Sequence, residues 1–506
     1  MRLNSKQICG YVGGTLLVEP ADASRLACGI TWDSRDLAPD DVYVALPGLR
    51  VDGHRFVADA LRGGAAAVLV TDRPDDATCL LAKEMGAAVI EVSSTINAIT
   101  DLARAWRASF RGHVIAITGS SGKTTTKNLV RDILQASFTV VATEGNQNNE
   151  LGVPKTILEA NPETEAIVIE MGMRGIGQIQ ELCDLVRPDM GLITNIGDAH
   201  LELLRTRENI ARAKAELFQS LPPGRGVAFM NRSDGYADFV CSIAGLEERN
   251  VSLVWYDGSG TVDVPSQRAA LEAEAGTDGG RGAQEGQEVS RQRVTWGAWA
   301  DAIDLDAQGR PCFILHLGDE ESPCTLPLQG LHNVQNAAAA ASVGAALGMG
   351  LATIVEALKE AVPEWGRQEA VKARGGFTVI NDSYNASPDS MRAALMTFAA
   401  MEAPGHHIAV LGDMGELGES AQACHEGIGE LVAALGIDYL VCIGELSAFI
   451  AQAARDGGMP EGHIRHVLHI SEALEDLEAN ILPDDVVLVK ASRFMGLERV
   501  VGGLVN

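Results

Sequence analysis

Apolar residues fall along this chain in short unbroken runs separated by segments in which they recur every three or four positions. The runs DVYVALPG (41–48), AAAVLV (65–70) and AAVIEV (87–92) come first. VIAIT (114–118), AIVIEMG (166–172) and MGLITNIGDAH (190–200) follow. TVIND (378–382), HIAVLGD (407–413), YLVCIG (439–444) and VVLVKAS (486–492) close the series. Runs of this length predict strands buried on both faces, and the intervening 3.6-residue periodicity predicts helices. Strand–helix alternation predicts an α/β chain of parallel sheets covered by helices, in three units spanning 1–111, 112–364 and 365–506. In such sheets ligands bind beyond the carboxyl ends of the strands, and several strands here end in polar residues.

Two segments depart from this pattern. The tract 265–293 is rich in Gly, Glu, Gln and Ala and poor in large apolar residues, so it reads as a solvated loop or flexible insertion. Residues 337–355 carry no charge over 19 positions, long enough to span a membrane. They are mostly Ala and Gly, too weakly apolar to insert, so a buried helix is expected.

Composition narrows the chemistry. The 506 residues hold 68 Asp and Glu against 40 Lys and Arg, a net charge of −28. Such a surface repels nucleic acid and anionic lipid, so neither is expected as a partner. The nine cysteines are scattered without a CxxC pair, which fits a reducing cytoplasm. The N-terminus lacks the apolar core of a signal peptide, and a cytoplasmic protein is expected.

VIAITGSSGKTTT (114–126) reads as strand, glycine-rich turn and helix start. Backbone amides of Gly119, Ser120, Ser121, Gly122, Lys123, Thr124 and Thr125 can converge on phosphates at the helix N-terminus. Lys123 reaches the β- and γ-phosphates, and the Thr124 hydroxyl suits Mg²⁺. The first glycine lies only three residues before Gly122, closer than in the common form of this loop. ATP or GTP is the expected ligand, but the loop alone does not name the acceptor.

Glu170 ends an apolar run, and a carboxylate there must be paired or bound to metal. His200 follows the third run, as a cap, a core residue or a ligand. In ENIARAKAELFQSL (208–221), Lys214 falls within the apolar stripe formed by Ile210, Leu217, Phe218 and Leu221. A lysine there must snorkel, pair with a carboxylate or lose its charge; a neutral amine can also take up CO₂ as a carbamate, an oxygen ligand for Mg²⁺. Arg367 and Asp382, at the start of the third unit, are candidates for the γ-phosphate and a ribose hydroxyl, or for surface or interdomain salt bridges.

Nine segments in order resemble one family: TGSSGKTTT (118–126), GNQNNELGVP (145–154), EMGMRGIGQI (170–179), NIGDAHLE (195–202), AKAELF (213–218), GLHNVQNAAAA (330–340), NDSYNASPDSM (381–391), LGDMGELG (411–418) and VKASRFMGLE (489–498). Together they look like the ATP-dependent Mur ligases of peptidoglycan synthesis, over nearly the whole chain except 265–293. DSYNASPDSM, LGDMGELG and the N-terminal TWDSRDLAPDDVYVALPGLRVDGHRF (31–56) look like the branch that adds D-Ala-D-Ala to UDP-N-acetylmuramoyl-tripeptide.

The resemblance implies a UDP-sugar-binding first domain, a central P-loop ATPase and a C-terminal Rossmann-like domain that closes over the nucleotide. It implies ATP and Mg²⁺, two ions being expected, as cofactors. It makes Lys123, Lys214, His200 and Arg367 catalytic. Thr124, Glu170, His200 and Lys214 become metal-site residues, Lys214 as the carbamate. Asn333, Asn336, Arg367 and Asp382 join the phosphate loop in binding ATP. Ser34 and Arg35 fall in the uridine region, Asn148, Asn149 and Arg174 near the muramoyl-peptide, and Asn385 and Ser387 near the dipeptide. A monomer acting on these two small-molecule substrates is expected. The rival readings are another Mur-type or folylpolyglutamate-synthetase-like ligase, and a nucleotide-dependent switch without ligase activity.

Overall fold

A computed structural model describes residues 1–48, 51–277 and 292–505. The first unit contains β1 (Leu3–Asn4), β2 (Thr15–Val18), β3 (Leu26–Ala27), β4 (Gly29–Thr31), β5 (Asp41–Val44), β6 (Ala67–Val70) and β7 (Ala88–Glu91). β1 and β3 form a small ribbon, and the others form a sheet in the order β2-β7-β6-β5-β4. Three of its strands are the three runs read from the sequence. The sheet is parallel apart from β2, which pairs antiparallel with β7.

The central unit adds β8 (His113–Thr118), β9 (Val140–Ala142), β10 (Ala166–Glu170), β11 (Met190–Ile193), β12 (Val227–Asn231), β13 (Ser252–Asp257), β14 (Val294–Leu305), β15 (Pro311–Leu317) and β16 (Glu320–Thr325). Their order is β16-β15-β14-β13-β12-β11-β8-β10-β9. β9 to β14 run parallel, whereas β15 and β16 extend the edge as an antiparallel meander. The expectation of purely parallel sheets therefore fails at this edge. β15 there alternates buried and half-buried positions, because one face is partly wet.

The C-terminal unit contains β17 (Glu369–Lys372), β18 (Thr378–Asp382), β19 (His407–Gly412), β20 (Tyr439–Ile443), β21 (Ile464–Val467) and β22 (Val486–Lys490), ordered β17-β18-β22-β19-β20-β21. Only β17 is antiparallel to its neighbour. The sheet buries an apolar cluster on each face, one around Leu395, Leu411 and Ile450 and one around Val410, Val489 and Leu497.

Two readings need correction. Val264–Thr277, assigned above to a flexible insertion, is a helix. Ala, Glu, Gln, Arg and Leu are strong helix formers, Asp263 Oδ1 accepts the Ser266 amide at its start, and Arg268 bridges Glu272 one turn on. Residues 278–291 of that tract lie outside the described residues. The uncharged 337–355 segment is not one helix but parts of two, His332–Ala346 and Leu351–Lys359. Gly348, at φ +84°, turns the chain between them. Both pack onto the face of the central sheet that carries the phosphate-loop helix. Among the described residues no helix is long and apolar enough to cross a membrane.

Candidate active site

β8 lies inside the central sheet between β11 and β10, where the strand order reverses, and its carboxyl end runs into the glycine-rich turn. Gly122 caps the helix Lys123–Gln135 with φ +75°, and a Cβ there would come within 2.5 Å of Asn336 Oδ1. Only glycine suits both demands. The segment after β11 stitches the loop down. The amides of Ser120 and Ser121 donate to Asn195 O and Oδ1, both at 3.0 Å. Thr194 Oγ1 donates to Ser121 O at 2.7 Å, and the Gly197 amide donates to Ser120 Oγ at 2.8 Å. Lys123 folds back over the loop, its Nζ donating to Gly119 O (2.8 Å) and Ser120 O (3.3 Å). Burial lowers its pKa, and the nearby Glu170 opposes that shift. Among the described residues no carboxylate lies within ion-pair distance of Lys123, which leaves its charge for an anionic ligand.

Glu170 ends β10 and is almost fully buried. Its Oε1 accepts from Asn148 Nδ2 at 2.7 Å, while Oε2 is buried without any hydrogen-bond partner among the described residues. An orphaned carboxylate oxygen is costly and is the acceptor a divalent cation satisfies. Lys214 lies on the helix Arg207–Gln219 with 1% of its surface exposed. Among the described residues it meets no hydrogen-bond acceptor or carboxylate. Burial, reinforced by the charge of Lys123, pushes its pKa well down, so the neutral amine is favoured. Of the alternatives left open by the sequence, loss of charge is the one this environment favours; snorkelling and pairing are not seen. A carbamate on that amine would place a negative group beside Lys123. His200 sits apart from these groups in hydrogen-bonding terms: its Nδ1 meets Glu416 Oε2 at 2.5 Å. Among the described residues no three His, Cys, Asp or Glu side chains form a ready metal cluster.

A cleft opens beside the loop, lined by Thr125, Asn128, Leu129, Asn333, Glu364 and Arg367 among others. Asn333 and Asn336 are tied into a chain beneath it. Thr126 Oγ1 donates to Asn336 Oδ1 (3.1 Å), Asn336 Nδ2 to Asn333 Oδ1 (2.8 Å), and Asn333 Nδ2 to Gln329 O (2.7 Å). Both amides thus brace the loop from below. Arg367 reaches across from the third unit, its Nη2 donating to Thr124 Oγ1 at 2.9 Å and its guanidinium stacked 4.4 Å from the Tyr384 ring centroid. Its Nε is buried without a hydrogen-bond partner among the described residues. Asp382 is buried and bound to Lys490 Nζ at 2.7 Å.

Other residues singled out above lie elsewhere. Arg35 is exposed and paired with Asp33, next to Ser34 in the first unit. Asn149 Oδ1 accepts the Gly152 amide at 3.0 Å, just ahead of the helix Gly152–Glu159. Arg174 is exposed, 4.0 Å from Glu416. Ser387 caps the helix Pro388–Ala400 in a reciprocal box with Ser390. Asn385 O accepts from Lys490 at 3.0 Å. Sequence reasoning missed Lys127, whose buried Nζ donates to Thr143 O at 2.6 Å beside Glu170. The signal was present: Lys127, Val130 and Leu134 share one helix stripe, the argument applied to Lys214. Lys490 and Glu416 were also missed, and nothing local marks them.

Comparison with known proteins decides the family. Three family descriptions match in order: "Mur ligase family, catalytic domain" over 28–107, "Mur ligase middle domain" over 117–344 and "Mur ligase, glutamate ligase domain" over 366–493. The UDP-N-acetylmuramoyl-tripeptide–D-alanyl-D-alanine ligase of Mycobacterium tuberculosis is 35% identical over 100% of this chain and 98% of its own. The chain belongs to the Mur ligase family. It is an ATP-dependent ligase with the three-domain Mur architecture. The Bacillus subtilis enzyme of the same name is 32% identical, covering 99% of this chain and 98% of its own. Among solved structures, MurF from Acinetobacter baumannii superposes with a TM-score of 0.78 at 30% identity, covering 100% and 99% of the two chains. MurF from Thermotoga maritima in complex with ADP gives 0.68 at 25% identity, covering 94% and 96%.

Proposed function

We propose that this Mur ligase joins D-Ala-D-Ala to the terminal carboxylate of UDP-N-acetylmuramoyl-tripeptide, with ATP converted to ADP and phosphate, as a cytoplasmic step of peptidoglycan synthesis. The observation that carries the reading is the end-to-end similarity to tripeptide–D-alanyl-D-alanine ligases, over 100% of the chain in one case.

The chemistry follows from the site. A carboxylate does not react with an amine until it has a leaving group. Its oxygen attacks the γ-phosphate, ADP departs, and the resulting acyl phosphate is opened by the dipeptide amine with release of phosphate. The protein contributes positioning and charge rather than covalent chemistry. Lys123, held over the loop, neutralises the transferring phosphoryl group. Arg367, aimed at Thr124 and stacked on Tyr384, does so from the opposite side. Mg²⁺ would be held by Thr124, Glu170, His200 and a carbamate on Lys214, and would supply further positive charge at the phosphate oxygens. Asn148, bound to Glu170, would connect the phosphoryl site to the muramoyl-peptide, with Asn149 and Arg174 beside it. Asn333, Asn336 and Asp382 would complete the nucleotide site. Ser34 and Arg35 of the first unit would meet the uridine, and Asn385 and Ser387 the dipeptide. The working domain limits are 1–111, 112–364 and 365–506.

Phosphate release measured with ATP, UDP-muramoyl-tripeptide and D-Ala-D-Ala tests the reading. Release should require both substrates, and Lys123→Ala should lower it by at least ~100-fold. ATP hydrolysis indifferent to either substrate would reject it in favour of a nucleotide switch.

A further inference from the structure

The segment LGDMGELG resembles the family but acquires no role from the chemistry above. In the structure it carries Glu416 from the C-terminal unit onto the central one. Glu416 Oε2 meets His200 Nδ1 at 2.5 Å, and Glu416 Oε1 lies 4.0 Å from Arg174 Nε. The Glu416 carbonyl accepts the Glu202 amide at 3.0 Å. One residue therefore holds three points of the central unit, two by side chain and one by backbone.

Both partners adopt costly backbone conformations to meet. Glu416 has φ +62° and His200 φ +65°, the left-handed region that non-glycine residues avoid. Such strain persists only where surrounding structure enforces it, and it clusters at functional positions. Two strained residues facing each other across a domain boundary point to a contact that function demands.

We propose that Glu416 is a positioning residue for His200. It accepts the Nδ1–H of the imidazole, fixes that tautomer and leaves Nε2 with its lone pair available to a cation. Metal-binding histidines usually carry such a carboxylate on the other ring nitrogen, which sets ring orientation and basicity. Here the carboxylate comes from a different domain, so docking of the C-terminal unit and completion of the metal site become one event. This inference rests on the reading of His200 as a metal residue.

The test is Mn²⁺ binding to the ADP complex of the full chain, followed by the electron paramagnetic resonance signal of free Mn²⁺. Glu416→Ala should weaken binding by roughly tenfold or more, as should His200→Ala. Glu416→Gln, whose amide oxygen still accepts the Nδ1–H, should restore most of the affinity. If His200→Ala weakens binding and Glu416→Ala does not, this inference fails while the metal reading stands. If neither weakens it, both fail. Equal losses in Glu416→Ala and Glu416→Gln would mean that charge, not tautomer, matters, and would also overturn the proposal. The ¹⁵N spectrum of histidine-labelled wild-type protein gives the tautomer without relying on any variant's folding. His200 protonated on Nδ1 is expected; His200 protonated on Nε2 alone overturns the proposal.

Discussion

The central unit meets its two neighbours by different means. Toward the first unit the contact is apolar and continuous: Leu3, Ile30, Val42, Ile90 and Leu102 belong to one buried cluster with Val114, Ile157 and Ile167. Even the chain's amino group is taken into this junction. Met1 N donates to Leu158 O at 2.5 Å, and burial lowers its pKa to about 6. Toward the C-terminal unit the contacts are polar and pointwise. The Asp198 amide donates to Asp389 Oδ2 at 3.1 Å, the Glu402 amide donates to Ala307 O at 3.0 Å, Arg207 lies 3.9 Å from Asp389, and Arg367 and Glu416 add their own bonds. The C-terminal sheet keeps its own apolar clusters on its own two faces.

The difference places the weaker joint between the central and C-terminal units. Buried apolar area is lost all at once when a packed face separates, whereas polar contacts exchange for water at small net cost. The first two units should behave as one body, with the third opening and closing on them. The residues assigned to phosphoryl transfer lie on the polar side.

Ile157→Ala, in the shared core, should cost about 2–5 kcal/mol. Urea unfolding should then destabilise the first and central units together; a separately melting first unit would refute the single body. Arg367→Lys loses a charged hydrogen bond to Thr124, worth about 1.5–3 kcal/mol. Phosphate release should fall roughly ten- to a hundredfold with little change in unfolding midpoint. Lys214→Met separates stability from chemistry at the junction of the two regimes. Because the folded chain holds Lys214 at a lowered pKa, the unfolded chain binds the extra proton at pH values between that lowered pKa and the ordinary lysine value of about 10.4. Wild-type stability should therefore rise with pH across that window, and the variant should lack that rise while losing turnover. Urea midpoints from pH 7 to 10 give the difference. Asp389→Asn weakens only a polar docking contact and should cost less than about 1 kcal/mol, showing mainly as faster hydrogen exchange at the Asp198 amide.

Much of the fold was legible because buried parallel strands write themselves as unbroken apolar runs. The meander β14–β16 was not, since alternating, half-wet strands resemble polar linkers. The helix Val264–Thr277 was hidden for a related reason: its residues favour helix but build no strong apolar stripe, so composition pointed to a loop. At the site, Lys214 could be singled out because its helix periodicity predicts burial. The Arg367–Thr124 bond and the Asp382–Lys490 pair join residues far apart in sequence, and no local pattern encodes either.

The sequence alone determined the phosphate loop and the sheets that carry it, since strand, glycine turn and helix start are written in a few contiguous residues and follow from local backbone sterics. Tertiary structure alone decided that Glu416 faces His200, that Asn336 braces the loop and that Lys214 meets no partner among the described residues. Those facts depend on which surfaces pack together, and packing is set by the summed burial of whole elements rather than by any segment of the chain.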